Sequence, residues 1–172
     1  MHKANDVIGL PVLDLESGQE CGIVRDVLYS DDWTFQGLLV EVKALFRKSR
    51  FVPVDGIHAI GEDYVVLQNE EVMLPAQDVE NCHGVKTGPV AMIGKSVITS
   101  NGQRLGQVED IYFQTEFGEI VGYELSDGII SDILDGRKAV KHVSSAKMGE
   151  DALILPLTVP PLLETEREDF DE

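Results

Sequence analysis

Positive charge is scarce in this chain: 14 lysines and arginines stand against 31 aspartates and glutamates, giving a formal charge of −17 at neutral pH. Such a field repels nucleic-acid phosphates and anionic membrane surfaces, and it favours solubility and a basic protein partner. Cysteine is nearly absent. Cys21 and Cys82 lie outside any C-x-x-C spacing and the four histidines form no H-x-x-H pair, so no structural zinc site is expected. A glycine-rich phosphate loop, a serine-centred elbow and a metal-binding helix motif are all missing, so neither a catalytic residue nor a cofactor is expected. Long apolar runs are missing too. A stretch such as Leu153 to Leu157 is strand-sized, far short of the roughly 20 residues a membrane helix needs. The opening Met-His-Lys-Ala-Asn-Asp lacks the apolar centre of a signal peptide, so the expectation is a cytoplasmic protein without membrane insertion.

What is present is a repetition. Ile8-Gly9, Gly18-Gln19, Gly22, Val24, Asp26 and Gly37 recur as Ile93-Gly94, Gly102-Gln103, Gly106, Val108, Asp110 and Gly122, at offsets of 84 or 85 positions. Gly61-Glu62-Asp63 recurs as Gly149-Glu150-Asp151 at an offset of 88. Two copies of one fold therefore divide the 172 residues, with small loop insertions between them. The expected division is a first domain over 1–76, a connector over 77–90, a second domain over 91–163 and an acidic tail over 164–172. The tail gathers Glu164, Glu166, Glu168, Asp169, Asp171 and Glu172 around the single Arg167 and reads as solvated and disordered. A domain of this size buries a small fraction of its surface, so the two halves are expected to stabilise each other across an interface.

Both copies read as short strands between glycine turns, with no long helical period. Asn101-Gly102 between apolar runs is a hairpin signal, because both residues tolerate the positive φ of a primed turn. In the run Ile120 to Leu125, alternation places Val121, Tyr123 and Leu125 on one face, expected to look into the core. Five or six strands per copy, closely spaced, predict an all-β fold of two tandem small antiparallel barrels. Copy two carries extra sequence over 127–136, where Ile129, Ile130, Ile133 and Leu134 fall on one side of a short predicted helical turn. Cys21 aligns with Leu105, which marks it as a small apolar packing site.

With Ile-Gly-x-x-Val at Ile8 to Val12 and Ile93 to Val97, Gly-x-Val-x-Asp-[Val/Ile] at Gly22 to Val27 and Gly106 to Ile111, and a basic residue leading the strand Arg50-Phe51-Val52-Pro53-Val54, the chain resembles the PRC-barrel family. The resemblance implies a β-barrel of about six strands in each half. Relatives in that family include the C-terminal domain of a ribosome-maturation factor, which binds a ribosomal protein, and small bacterial proteins of unassigned role. It brings no shared catalytic residue. Copy two departs from the pattern with Lys141-His142 where copy one has Pro53-Val54.

Asp26 and Asp110 occupy the same place in both copies and invite a catalytic or metal reading. The simpler reading is that each carboxylate accepts hydrogen bonds from backbone N–H groups of a neighbouring turn, repeated because the fold is repeated. Arg47, Lys48 and Arg50 form one basic cluster; Arg137 and Lys138, with Lys141, form another at the corresponding loop. These clusters and the Ile129, Ile130, Ile133 and Leu134 face are the candidate partner-binding residues. Cys82-His83 in the connector lacks an orienting third group nearby in sequence, and the four histidines show no shared position between copies. The function expected is a non-enzymatic adaptor or scaffold binding a protein, basic or ribosomal in kind. The alternatives are a ribosome- or RNA-processing factor and a small-ligand or metal-binding module.

Overall fold

The computed structural model describes residues 1–43, 48–126 and 138–156. A short lead-in strand β1 (His2–Lys3) and a single helical turn α1 (Ala4–Val7) precede β2 (Pro11–Asp14), β3 (Glu20–Ser30) and β4 (Phe35–Val42). Then come β5 (Lys48–Pro53), β6 (Ile57–Ile60), β7 (Val65–Leu67), β8 (Leu74–Pro75) and, within the connector, β9 (Cys82–Gly84). Copy two contributes β10 (Ser96–Thr99), β11 (Arg104–Gln114), β12 (Glu119–Ser126), β13 (Lys138–Lys141), β14 (Lys147–Met148) and β15 (Ala152–Leu155).

These strands form two curled sheets. One runs β6-β7-β2-β3-β4-β5-β8 with β9 attached to β3; the other runs β13-β12-β11-β10-β15-β14 with β1 attached to β11. The fold is all-β, as the sequence predicts. In each sheet one pair, β2 with β7 and β10 with β15, is parallel, and the other pairings are antiparallel. The predicted turns are in place: Gly18 and Gly102 take positive φ of 68° and 89°, and Gly61 N–H donates to the Tyr64 carbonyl as Gly149 N–H donates to that of Ala152.

Two bulges recur in both sheets and decide which side chains face inward. Between Val24 and Asp26 the register slips at Arg25, and between Val108 and Asp110 it slips at Glu109, bringing both aspartates under cover. The second bulge corrects the alternation expected from sequence. Phe113 pairs with Ile120 and Tyr112 with Gly122, leaving Val121 as the extra residue. Tyr123 and Leu125 are buried in the main core, but Ile120 joins them there, while Val121 packs with Tyr112 and Ala139 in a separate cluster. A bulge resets the two-residue period of a strand, which simple alternation cannot register.

The two sheets share one continuous apolar core. It holds Val24, Val27, Phe35 and Leu38 from copy one, Ile111, Phe113, Ile120 and Tyr123 from copy two, and Ala4, Val7, Val85 and Met92 from the lead-in segments. Phe35 and Phe113 meet across the junction with ring centroids 4.7 Å apart. The mutual stabilisation that small domain size predicts is thus met by burying apolar surface common to both halves.

Candidate functional site

Each copy's lead-in segment docks on the other copy. β1, ahead of copy one, pairs with β11, placing His2 opposite Phe113 and Lys3 opposite Tyr112. β9, ahead of copy two, pairs with β3, placing His83 opposite Tyr29 and Gly84 opposite Leu28. Tyr29 and Phe113 are equivalent residues of the repeat, so His2 and His83 occupy equivalent positions. Sequence comparison missed this because the two histidines are 81 positions apart, not 85.

The repeated aspartates hold these exchanged segments. Asp26 is fully buried. Its Oδ1 accepts from the amides of Val27 at 2.8 Å and Lys86 at 3.0 Å, and its Oδ2 accepts from the Thr87 amide at 2.9 Å and the Thr87 hydroxyl at 2.5 Å. Asp110 Oδ1 accepts from the amides of Ile111 at 2.8 Å and Asn5 at 3.1 Å, and the Asn5 side chain donates to the Glu109 carbonyl. Burial pushes the Asp110 carboxyl above its ordinary value, against the lowering effect of the two amides. The reading of these residues as acceptors for backbone donors holds. The segment each one secures belongs to the other barrel.

A cleft of about 450 Å³ opens at the junction beside β9. Tyr29, Trp33 and Val90 line it together with Ala146 and Met148 of copy two. Asp31, His83 and Lys147 form its polar rim. His83 Nε2 donates to Asp31 Oδ1 at 2.6 Å, while the Asp31 side chain remains 80% exposed. The Tyr29 hydroxyl donates to the Val90 carbonyl at 2.7 Å, and burial, followed by the fields of Asp31 and Asp26, pushes its pKa upward. Interfaces between domains commonly hold clefts of this kind, with apolar walls and a few polar groups.

Trp33, the sole tryptophan, takes φ of +66°, a left-handed conformation that is a true outlier for a bulky residue. Its repeat partner is Gly118, with φ of +62°. Packing holds the ring in place: it lies 6.0 Å from Tyr29 and 5.0 Å from His142, centroid to centroid, with Tyr123 edge-on at 6.3 Å. The Tyr123 hydroxyl lies 2.6 Å from His142 Nδ1, and burial holds that imidazole below its ordinary pKa. Thr34 and Glu119 form a bridge beside this cluster, so the β3–β4 turn of one sheet sits directly on the β11–β12 turn of the other.

The architecture, the order of turns and the two aspartate sites agree with a sequence match to the PRC-barrel domain over residues 1–74 and again over 91–158. The chain belongs to the PRC-barrel family. It is also similar to YrrD, an uncharacterised protein of Bacillus subtilis, at 26% identity over 158 residues, covering 90% of this chain and 87% of that protein. In this PRC-barrel protein the family motif Gly-x-Val-x-Asp serves the bulge and the buried carboxylate that receives the exchanged segment.

The remaining predicted site residues are not gathered in one place. Lys48 and Arg50 lie on β5, where they line a shallow cleft of about 420 Å³ with Pro75 and Gln77. Lys138 begins β13 in the other sheet, opposite Leu125. Arg47, Arg137, Ile129, Ile130, Ile133 and Leu134 lie outside the described residues. His83 does gain an orienting carboxylate, Asp31, which local sequence could not reveal. Cys82 precedes it on the same strand, so the two side chains point to opposite faces, and burial pushes the Cys82 thiol up, away from the reactive thiolate. Cys21 is buried, its thiol pushed up to about 11 chiefly by desolvation, in keeping with its packing role. No group of three or more His, Cys, Asp or Glu among the described residues is placed to hold a metal ion, and no described helix is long and apolar enough to cross a membrane.

Proposed function

We propose that this protein is a non-enzymatic adaptor or scaffold of the cytoplasm that binds another protein through the loops and strand edges of its two barrels. The reciprocal exchange of lead-in segments is the observation that supports this reading. It joins the barrels into one unit with a continuous core, and the carboxylates common to both copies are engaged in that union. Groups committed to holding backbone donors are poorly placed to perform chemistry, whereas a fixed pair of barrels offers a defined surface at the junction. Both cysteines are free, in keeping with a reducing compartment. Charge favours a basic partner.

Affinity capture on the immobilised full chain from an extract of the native host, over a salt series, tests the reading. A protein retained saturably and released as salt rises is expected. Lys48 and Arg50, side by side on β5, favour a ribosome- or RNA-associated role as the second reading. Co-sedimentation with ribosomal subunits at low salt would replace the first reading with the second. An Ile130→Asp, Ile133→Asp variant carried in parallel measures what the apolar insert of copy two contributes.

A further inference from the structure

We infer that the cleft beside Trp33 receives an extended, basic segment of a partner protein, added as a strand to β14 with one apolar side chain in the cleft and a cation against Asp31. This rests on the adaptor reading and specifies its docking mode.

Backbone, apolar surface and charge converge at this one place. β14 ends its sheet: it pairs with β15 on one side, and among the described residues no strand pairs with it on the other. Edge strands of this kind recruit extended peptides, whose main chain supplies hydrogen bonds while alternate side chains enter neighbouring pockets. Met148 of β14 lines the cleft together with Trp33 and Tyr29. A strand laid along β14 therefore has an apolar receptacle within reach of its alternate residues.

Charge selects the chemistry of that segment. Asp31 stands at the rim with most of its side chain in solvent, and Asp32 follows it in an exposed turn. Burial raises the Tyr29 and Cys82 pKa values, and the field of Asp31 adds to it in both. Against these stands Lys147, the rim cation, set on β14 itself. A chain of net charge −17 adds long-range attraction for a basic segment.

Trp33 reports the event directly, since no other tryptophan is present. The probe is a short synthetic peptide in which arginine alternates with valine and a central phenylalanine, titrated into the full chain while tryptophan emission is followed. Its controls are the same peptide with glutamate for arginine and the same peptide N-methylated along the backbone edge that would face β14. Saturable binding of the arginine peptide alone, weakened about tenfold by Asp31→Lys and strengthened by Lys147→Glu, is expected. Both substitutions are at exposed positions, and an unchanged melting curve confirms the fold. Equal binding of the glutamate peptide, or indifference to Asp31→Lys, overturns the charge assignment. Equal binding of the N-methylated peptide overturns strand addition. If a partner captured from extract is held equally by wild type and by Asp31→Lys, the adaptor reading survives and this docking site does not.

Discussion

The backbone amide of Asn5 donates to Oδ1 of Asp110 at 3.1 Å, across 105 residues of sequence. Its counterpart joins Lys86 and Thr87 to Asp26 across 60 and 61 residues. Copy one thus begins on the surface of copy two, and copy two begins on the surface of copy one. Such an exchange has the form of an isologous dimer interface enclosed in a single chain.

The two aspartates do not carry equal weight. Asp26 is fully buried and accepts four hydrogen bonds, so Asp26→Ala leaves several donors without a partner and is expected to cost about 3 kcal/mol. Asp110 accepts fewer, and its charged form is already opposed by burial, so Asp110→Ala is expected to cost roughly 1 to 2 kcal/mol. Urea unfolding of the two variants at neutral pH checks the order; an equal or reversed order contradicts it.

Gly84 has no room for a methyl group. A Cβ there would stand 2.3 Å from Asp26 Oδ2 and 2.6 Å from the Thr87 carbonyl oxygen. Gly84→Ala is expected to destabilise by about 2 to 3 kcal/mol through overpacking. In an Asp26→Ala background the first clash is gone and the second persists, so the penalty should shrink without vanishing. A double-mutant cycle reads this coupling.

At position 33 the usual ranking of alanine over glycine should invert. Either substitution removes the ring between Tyr29 and His142, but only glycine accepts φ of +66° without strain. Trp33→Gly is expected to cost about 2 kcal/mol and Trp33→Ala about 1 kcal/mol more, as compared by thermal or chemical unfolding. Should alanine prove the milder change, the strain assigned to this turn is absent.

Acid should loosen the junction through His142. Burial holds its folded-state pKa below the ordinary 6.5. Above that value both folded and unfolded chains carry it neutral. As pH falls below 6.5 the unfolded chain takes up a proton that the folded chain resists, so stability drops until the folded pKa is passed. Asp14 also loses stability on acidification, but its carboxyl is held below 3.8, chiefly by the Ser17 amide, and so acts at lower pH. The urea midpoint is therefore expected to fall between pH 7 and pH 5, with a shallower slope in His142→Gln.

Much of this architecture can be read in the amino-acid order, because its causes are local. Glycines at Gly18 and Gly102 mark turns by their tolerance of positive φ, and the Gly-Glu-Asp pairs close hairpins in both copies. Repetition of these short-range signals is enough to establish two like halves of strands, and alignment of Cys21 with Leu105 is enough to identify a packing position.

Tertiary structure alone decided where those halves meet and which segments Asp26 and Asp110 hold. The bulge at Val121 depends on pairing with β11, and the partners of the two aspartates in the exchanged segments lie 60 to 105 residues away. The equivalence of His2 with His83 appears only in strand register, and Asp31 reaches His83 only because β9 crosses to the first sheet. Local propensity specifies turns and strands; the exchange arises from closing long loops around a shared core, whose energy is a property of the assembled surfaces and of no single segment.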